Sequence, residues 1–220
     1  MARLLVIDTA TPACSVALFD NEALIASDYV DLGRGHAERL VPMIATLPDK
    51  GRADAIAVNC GPGSFTGIRV GLSAAMALGI AWDVPVSGYS SLALVAHMAA
   101  RAIDSRTISI AMQAGHGELF VQDFQIVDQC ASAAPDTDIV SVTPQVAAGM
   151  IGGNPVFGSG LSLLPEAMRP NETHSLLPDA RAFPASQPDF AALAPKPIYV
   201  RAPDAKPFKA KTGLTGAANG

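Results

Sequence analysis

Gly61-Pro-Gly-Ser-Phe-Thr-Gly-Ile-Arg-Val-Gly71 stands between an apolar run, residues 53–60, and a helix predicted over Phe65–Trp82. The run Ala-Ile-Ala-Val, bounded by polar residues before it and Gly-Pro-Gly after it, is the pattern of a buried strand. Glycines between a strand and a helix invite comparison with phosphate-binding loops, where backbone N–H groups meet an anion at the positive end of the helix dipole. Two mismatches exclude the standard motifs. A P-loop needs Lys followed by Ser or Thr after its last glycine, and Gly67 is followed by Ile68 and Arg69. A dinucleotide fingerprint needs its third glycine at 66, where Thr66 stands.

The helix carries a second signal. Gly67, Gly71, Ala75 and Gly79 recur every four residues and line one narrow ridge. Each glycine costs about 1 kcal/mol of helix propensity relative to alanine, so such a ridge requires close approach of another backbone. That backbone belongs either to this chain's own sheet or to a partner's helix, and one face could serve each.

Outward from this segment, residues 3–8, 14–20 and 22–30 alternate apolar runs with the turn formers Thr-Ala-Thr-Pro and Asp20-Asn21, which predicts three antiparallel strands. Residues 36–47 place Ala37, Leu40, Val41, Ile44 and Leu47 on one helical stripe. Pro42 interrupts that helix and should remove one backbone bond, a fault of about 3 kcal/mol unless neighbours compensate. After Pro85, a further helix spans 91–101, capped by Ser90 or Ser91. The order βββαβα makes one lobe. Residues 107–112 and 118–127 predict strands, 144–150 a short helix and 155–157 another strand, a smaller and partly degenerate second lobe. The expected organisation is an N-terminal lobe over 1–102, a C-terminal lobe over 103–202 and a disordered tail over 203–220, where Pro, Lys, Gly, Thr and Ala show no apolar period.

Half of the 220 residues are hydrophobic and 16% are charged, enough for a large core. A net charge of −5 and a pI near 5.2 argue against a protein that grips nucleic acid by its own field. Cys14, Cys60 and Cys130 are widely spaced and form neither a disulfide framework nor a CxxC motif, which fits a reducing cytoplasm. The N-terminal apolar run stops at Asp8, too short for a signal-peptide core, and no stretch holds roughly 18 uninterrupted apolar residues.

Leu5-Val-Ile-Asp-Thr-Ala-Thr11 with Ser15-Val-Ala-Leu18, His36-Ala-Glu-Arg-Leu-Val-Pro42, the 61–71 segment, and Pro197-Ile-Tyr-Val-Arg201 together resemble the TsaB (YeaZ) family, in the family's order and across residues 1–201. The resemblance implies the α/β, two-lobed fold of the actin, sugar-kinase and Hsp70-like ATPases, with ribonuclease H-like lobes. It implies a glycoprotease-like paralogue of TsaD, the subunit that transfers a threonylcarbamoyl group to the tRNA adenosine beside the anticodon. TsaD-type proteins hold a metal with a His-x-x-x-His pair. The corresponding positions here are Ser91 and Val95, which cannot hold a Lewis-acid metal. His97, alone on an apolar helix, is expected to be packed. In Gln113-Ala-Gly-His-Gly-Glu118 the family more usually shows Asp and Arg at 113 and 115, so a salt bridge at the lobe junction is lost.

The expected function is therefore a non-catalytic scaffold, cytoplasmic and not membrane-bound, that pairs with TsaD, works with TsaE, meets tRNA through the complex and forms a homodimer when alone. The expected partner surface is His36, Leu40, Val41, Ile44, Gly67, Ile68, Gly71, Leu72 and Ala75. No catalytic or metal site and no cofactor of its own are expected; a nucleotide at the partner interface is left open. Asp8, Thr9, Gly61, Gly63 and Ser64 occupy the place where ATPases of this fold orient Mg²⁺ and phosphate, although turn capping alone accounts for Asp8 and Thr9. The alternative is a metal- or ATP-dependent enzyme of the same fold, a glycoprotease-like hydrolase or small-molecule kinase.

Overall fold

The computed structural model describes residues 2–134 and 137–200. Its first sheet is built from β1 (Arg3–Asp8), β2 (Ala13–Asp20), β3 (Ala23–Asp31), β4 (Ala55–Asn59) and β5 (Val86–Tyr89), in the order β3-β2-β1-β4-β5. The first three strands form an antiparallel meander, and β4 and β5 add in parallel. Helices α1 (His36–Thr46) and α2 (Phe65–Trp82) cover one face, and α3 (Ser91–Ala100) follows β5. The second sheet repeats the plan: β6 (Thr107–Gln113), β7 (Leu119–Val127) and β8 (Cys130–Ala133) are antiparallel, with β9 (Val140–Val142) also paired to β7. After α4 (Pro144–Ile151), β10 (Val156–Phe157) and β11 (Thr173–His174) add in parallel, in the order β11-β10-β6-β7-β8. Two sheets of matching order are the two-lobed actin/sugar-kinase/Hsp70-like architecture, with the second lobe reduced to two-residue strands at one edge.

The βββαβα reading omits β5, whose Val-Ser-Gly-Tyr is too short and too polar to register as a strand. It pairs because β4 offers a parallel edge. Packing crosses the expected lobe boundaries. Leu92, Val95, Ala96 and Ala99 of α3 pack into the second sheet's core, whereas Leu94 joins Val6, Ala17 and Tyr89 of the first. The chain beyond β11 then returns to the first lobe: Ala180 and Phe183 bury against Phe19 and Tyr89, Leu193 bridges Gly88, and the Ile198 N–H donates to the Cys60 carbonyl (2.8 Å). Apolar residues at 180–200 are distant in sequence from the strands they cover, so no local period announces them. The expected tail, 203–220, lies outside the described residues.

Helix α1 runs through Pro42. Both Pro42 and Glu38, whose carbonyl loses its partner, are exposed, so water can take up that carbonyl. Helix α2 is apolar and long enough to cross a membrane by length and composition. Its buried residues, however, include Gly67, Ile68, Gly71, Leu72, Ala75 and Gly79, which lie on the first sheet as a core helix.

Candidate functional site

The polar residues at the end of β1 close on one another. Asp8 and Thr9 are buried. One carboxylate oxygen of Asp8 accepts from the Ala10 N–H (3.2 Å), the turn-capping bond expected from an Asp at this position. The other accepts from the Asn59 amide (2.6 Å) and the Tyr89 hydroxyl (3.0 Å). Asn59 in turn accepts from the Gly61 N–H (2.7 Å) and the Ser91 hydroxyl (2.8 Å). The ends of β1, β4 and β5 and the start of α3 are thereby tied by one buried network. Burial pushes the Asp8 carboxyl up to about 7, against the opposing pull of hydrogen bonds from Asn59, Ala10 and Tyr89. The same burial, with Asp8 beside it, pushes the Tyr89 hydroxyl well above its ordinary value.

Thr9 is spent differently from expectation. Its hydroxyl donates across the lobe to the Gly67 carbonyl in α2 (2.7 Å), fastening the helix to the strand end. Gly67 and Gly71 make that possible. A Cβ at Gly67 would overlap the Thr9 carbonyl, and one at Gly71 would overlap the Thr9 hydroxyl. Gly79 likewise meets Val86 of β5. The ridge thus faces this chain's own sheet.

The loop before α2 is similarly committed. Gly61 takes φ +94°, a left-handed conformation that favours glycine, and its bond to Pro62 is cis. Gly63 packs against the Ala10 carbonyl, and the Ser64 hydroxyl caps α2 by accepting from the Gly67 N–H (3.2 Å). Of the expected phosphate-handling set, Asp8 and Thr9 have their side chains turned into the lobe, and Ser64 serves as the helix cap.

The metal-site positions are filled in the same way. Ser91 is buried and bonded to Asn59, and Val95 is buried in the second sheet's core. His97 is buried, its Nδ1 without a partner among the described residues, its ring edge-on to Phe190, and its pKa lowered by burial and by Arg101. No group of three or more His, Cys, Asp or Glu side chains suited to a metal ion occurs among the described residues. Sequence reasoning missed Asn59 and Tyr89. The signal was an Asn closing an otherwise apolar strand, a residue that must be satisfied if buried.

Most of the expected partner surface is buried in this chain. Leu40, Ile44, Gly67, Ile68, Gly71, Leu72 and Ala75 pack within the first lobe. His36 is buried as well, with Nε2 facing the carbonyls of Thr11 (2.8 Å) and Ala13 (3.3 Å). Only Val41 of the set is well exposed, at 60%. The exposed face of α2 is instead the stripe Phe65, Arg69, Met76 and Ile80, opposite the glycines; Phe65 is 58% and Ile80 80% exposed. Between α1 and α2 lies a groove of about 480 Å³ lined by Ala37, Val41, Phe65, Arg69 and Val70 among others. The Arg69 guanidinium sits 3.5 Å over the Phe65 ring and donates to the Tyr199 hydroxyl (2.9 Å), so the 197–200 segment buttresses one end of the groove. Arg201 of that motif lies outside the described residues.

A family model described as TsaD, tRNA N6-adenosine threonylcarbamoyltransferase, matches residues 31–159. A solved structure of a Pseudomonas aeruginosa protein with similarity to peptidase YEAZ superposes with a TM-score of 0.73 at 30% identity, covering 91% of this chain and 100% of that one. The chain belongs to the TsaB/YeaZ family. The Escherichia coli (strain K12) member, named tRNA threonylcarbamoyladenosine biosynthesis protein TsaB, is 36% identical over 56% of this chain and 55% of its own length. The match thus spans about half of that TsaB-named relative. An uncharacterized protein of Mycobacterium tuberculosis (strain ATCC 25618 / H37Rv) is 34% identical over 94% of this chain and 96% of its own. Family membership accounts for the fold, and Ser91 and Val95 of this TsaB/YeaZ chain are buried.

Proposed function

We propose that this protein is a non-catalytic partner subunit in the threonylcarbamoyl modification of tRNA, docking a TsaD-type protein across the groove between α1 and α2 and working with a TsaE-type ATPase in the cytoplasm. The observation that carries the proposal is the division of α2. Its glycine ridge is consumed by the first sheet, and its opposite face leaves Phe65, Met76 and Ile80 exposed, with Phe65 lining the groove together with Val41 of α1. Apolar side chains gathered at such a groove are what a helical partner covers. Support against intrinsic chemistry comes from Asp8 and Thr9, whose side chains are enclosed and already bonded, leaving no acid, base or phosphate ligand presented to a substrate at that position. A small-molecule kinase or hydrolase reading finds no corresponding free groups there.

The test is reconstitution of threonylcarbamoyl transfer to tRNA with the cognate TsaD and TsaE, with and without this chain, alongside size-exclusion chromatography of the pair. Transfer that needs this chain, and co-elution that Val41→Glu and Ile80→Glu abolish, is the expected outcome. Transfer at the same rate in its absence, or co-elution unaffected by both substitutions, overturns the proposal. In isolation the same groove is expected to pair with a second copy.

A further inference from the structure

The last described residues run beside the groove between α1 and α2. The Tyr199 ring packs 6.1 Å from that of Phe65, its hydroxyl accepts from Arg69, and Phe65 and Arg69 both line the groove. Residue 201 follows two positions later, so the chain continues from within about 7 Å of Tyr199. Residues 201–220 lie outside the described residues. Their sequence holds two large apolar side chains, Phe208 and Leu214, among prolines, glycines and lysines. Phe208 stands nine residues beyond Tyr199, a reach of up to about 30 Å when extended. The groove follows α2 from Phe65 to Ala74, about 14 Å at the helical rise, so Phe208 can reach any part of it.

Charge favours the same encounter. Arg201, Lys206, Lys209 and Lys211 against Asp204 give residues 201–220 a charge of +3 within a chain of −5, so residues 1–200 carry −8. Glu38 lines a cavity that shares Ala37, Thr66 and Val70 with the groove, and Asp83 closes the far end of α2. Arg69, the one charged residue lining the groove, opposes the lysines, but Asp204 follows Tyr199 by only five positions and precedes them all.

We propose that residues 201–220 fold back into this groove in cis, seating Phe208 against Val41, Phe65 and Val70, and so regulate the surface by competing with whatever else docks there. A short apolar anchor flanked by charges orders only on such a surface. A tether of this length supplies a local concentration of roughly millimolar, so an anchor with a dissociation constant of about 0.1–1 mM fills the groove and weakens a second occupant about twofold to tenfold. The seat stands on the groove's geometry; the competition rests on the docking role above.

The experiment compares the full chain with Phe208→Ser, following backbone amide resonances of Val41, Phe65 and Val70 at a concentration where sedimentation shows a monomer. These resonances should move, those of Val146 on α4 should not, and Phe208→Tyr should retain the parent positions. Self-association, and pairing with a TsaD-type protein, should tighten about twofold to tenfold in Phe208→Ser. Groove resonances that stay in place overturn the seat and leave the groove to partners alone. Weaker self-association of Phe208→Ser overturns docking in cis and places the anchor in a second copy. Association unchanged with both a second copy and a TsaD-type protein overturns the competition. Unmoved resonances with co-elution still abolished by Val41→Glu and Ile80→Glu strike the tail and keep the docking role; moved resonances with co-elution indifferent to those substitutions do the reverse.

Discussion

Asp8 makes the stability of this protein depend on pH in a direction opposite to that of most carboxylates. Its folded-state pKa stands at about 7, whereas an unfolded aspartate titrates near 3.9. A raised folded pKa means the folded chain keeps a proton that the unfolded chain has already released. Between about pH 4 and pH 7 the unfolded state therefore binds fewer protons, and stability falls as pH rises. Below that window the contribution is constant, and above it the loss is complete. A gap of about 3 units corresponds to roughly 4 kcal/mol in full, and the portion lying between pH 5 and pH 8 is about 2–3 kcal/mol. Because the group is wholly buried, solvent offers little relief.

The perturbation is Asp8→Asn, which cannot titrate. Its amide nitrogen must face either Asn59 or the Ala10 N–H, a mismatch of about 1 kcal/mol that does not vary with pH. Urea unfolding of both proteins at pH 5, 6, 7 and 8, followed by the single tryptophan, Trp82 at the end of α2, isolates the effect as a difference of differences. Groups other than Asp8 cancel between the two chains. The parent should lose about 2–3 kcal/mol relative to Asp8→Asn across this range, steepest near pH 5–6.5 and levelling above pH 7. A stability difference that stays flat from pH 5 to pH 8, or that grows in the parent's favour, would refute the raised pKa of the buried carboxyl.

Gly71→Leu drives a side chain into the Thr9 hydroxyl, with Val58 and Ile7 behind it, so it should lower the melting temperature by the equivalent of at least 1–3 kcal/mol rather than merely weaken pairing. Thr9→Val removes the hydroxyl bond to the Gly67 carbonyl, which keeps its helical partner, and should cost about 0.5–1.5 kcal/mol in urea denaturation. Ile80→Glu, at a position 80% exposed, should move stability by no more than about 0.5 kcal/mol while reducing association in analytical ultracentrifugation. Asn59→Asp sets a second carboxylate against Asp8 inside the lobe; a thermal melt near pH 8 should show a loss of several kcal/mol that acidification to pH 5 partly restores.

Much of the architecture was legible because it rests on local period. The three opening strands, α1, α2, and the pair β6–β7 all bury one continuous face, and a repeating apolar pattern follows from that burial. The failures were β5, β8, β9 and β11, strands of two to four residues that carry too few positions for any period. They exist because a neighbouring strand offers an open edge. The network around Asp8 was half visible: Asp8 and Thr9 could be singled out, but their partners Asn59, Tyr89 and Gly67 lie more than fifty residues away.

The 61–71 segment divides the two kinds of knowledge. From residue types alone it had to be a tight turn feeding a helix with a close-packed ridge, because nothing else accommodates glycine every fourth residue at that cost in propensity. Which backbone approached the ridge depended on where β1 ended in space. The Thr9 hydroxyl and carbonyl occupy that position, so the ridge turned inward and the apolar residues opposite it were left on the surface. Helical periodicity specifies faces relative to one another; only the packed sheet decides which of them meets water.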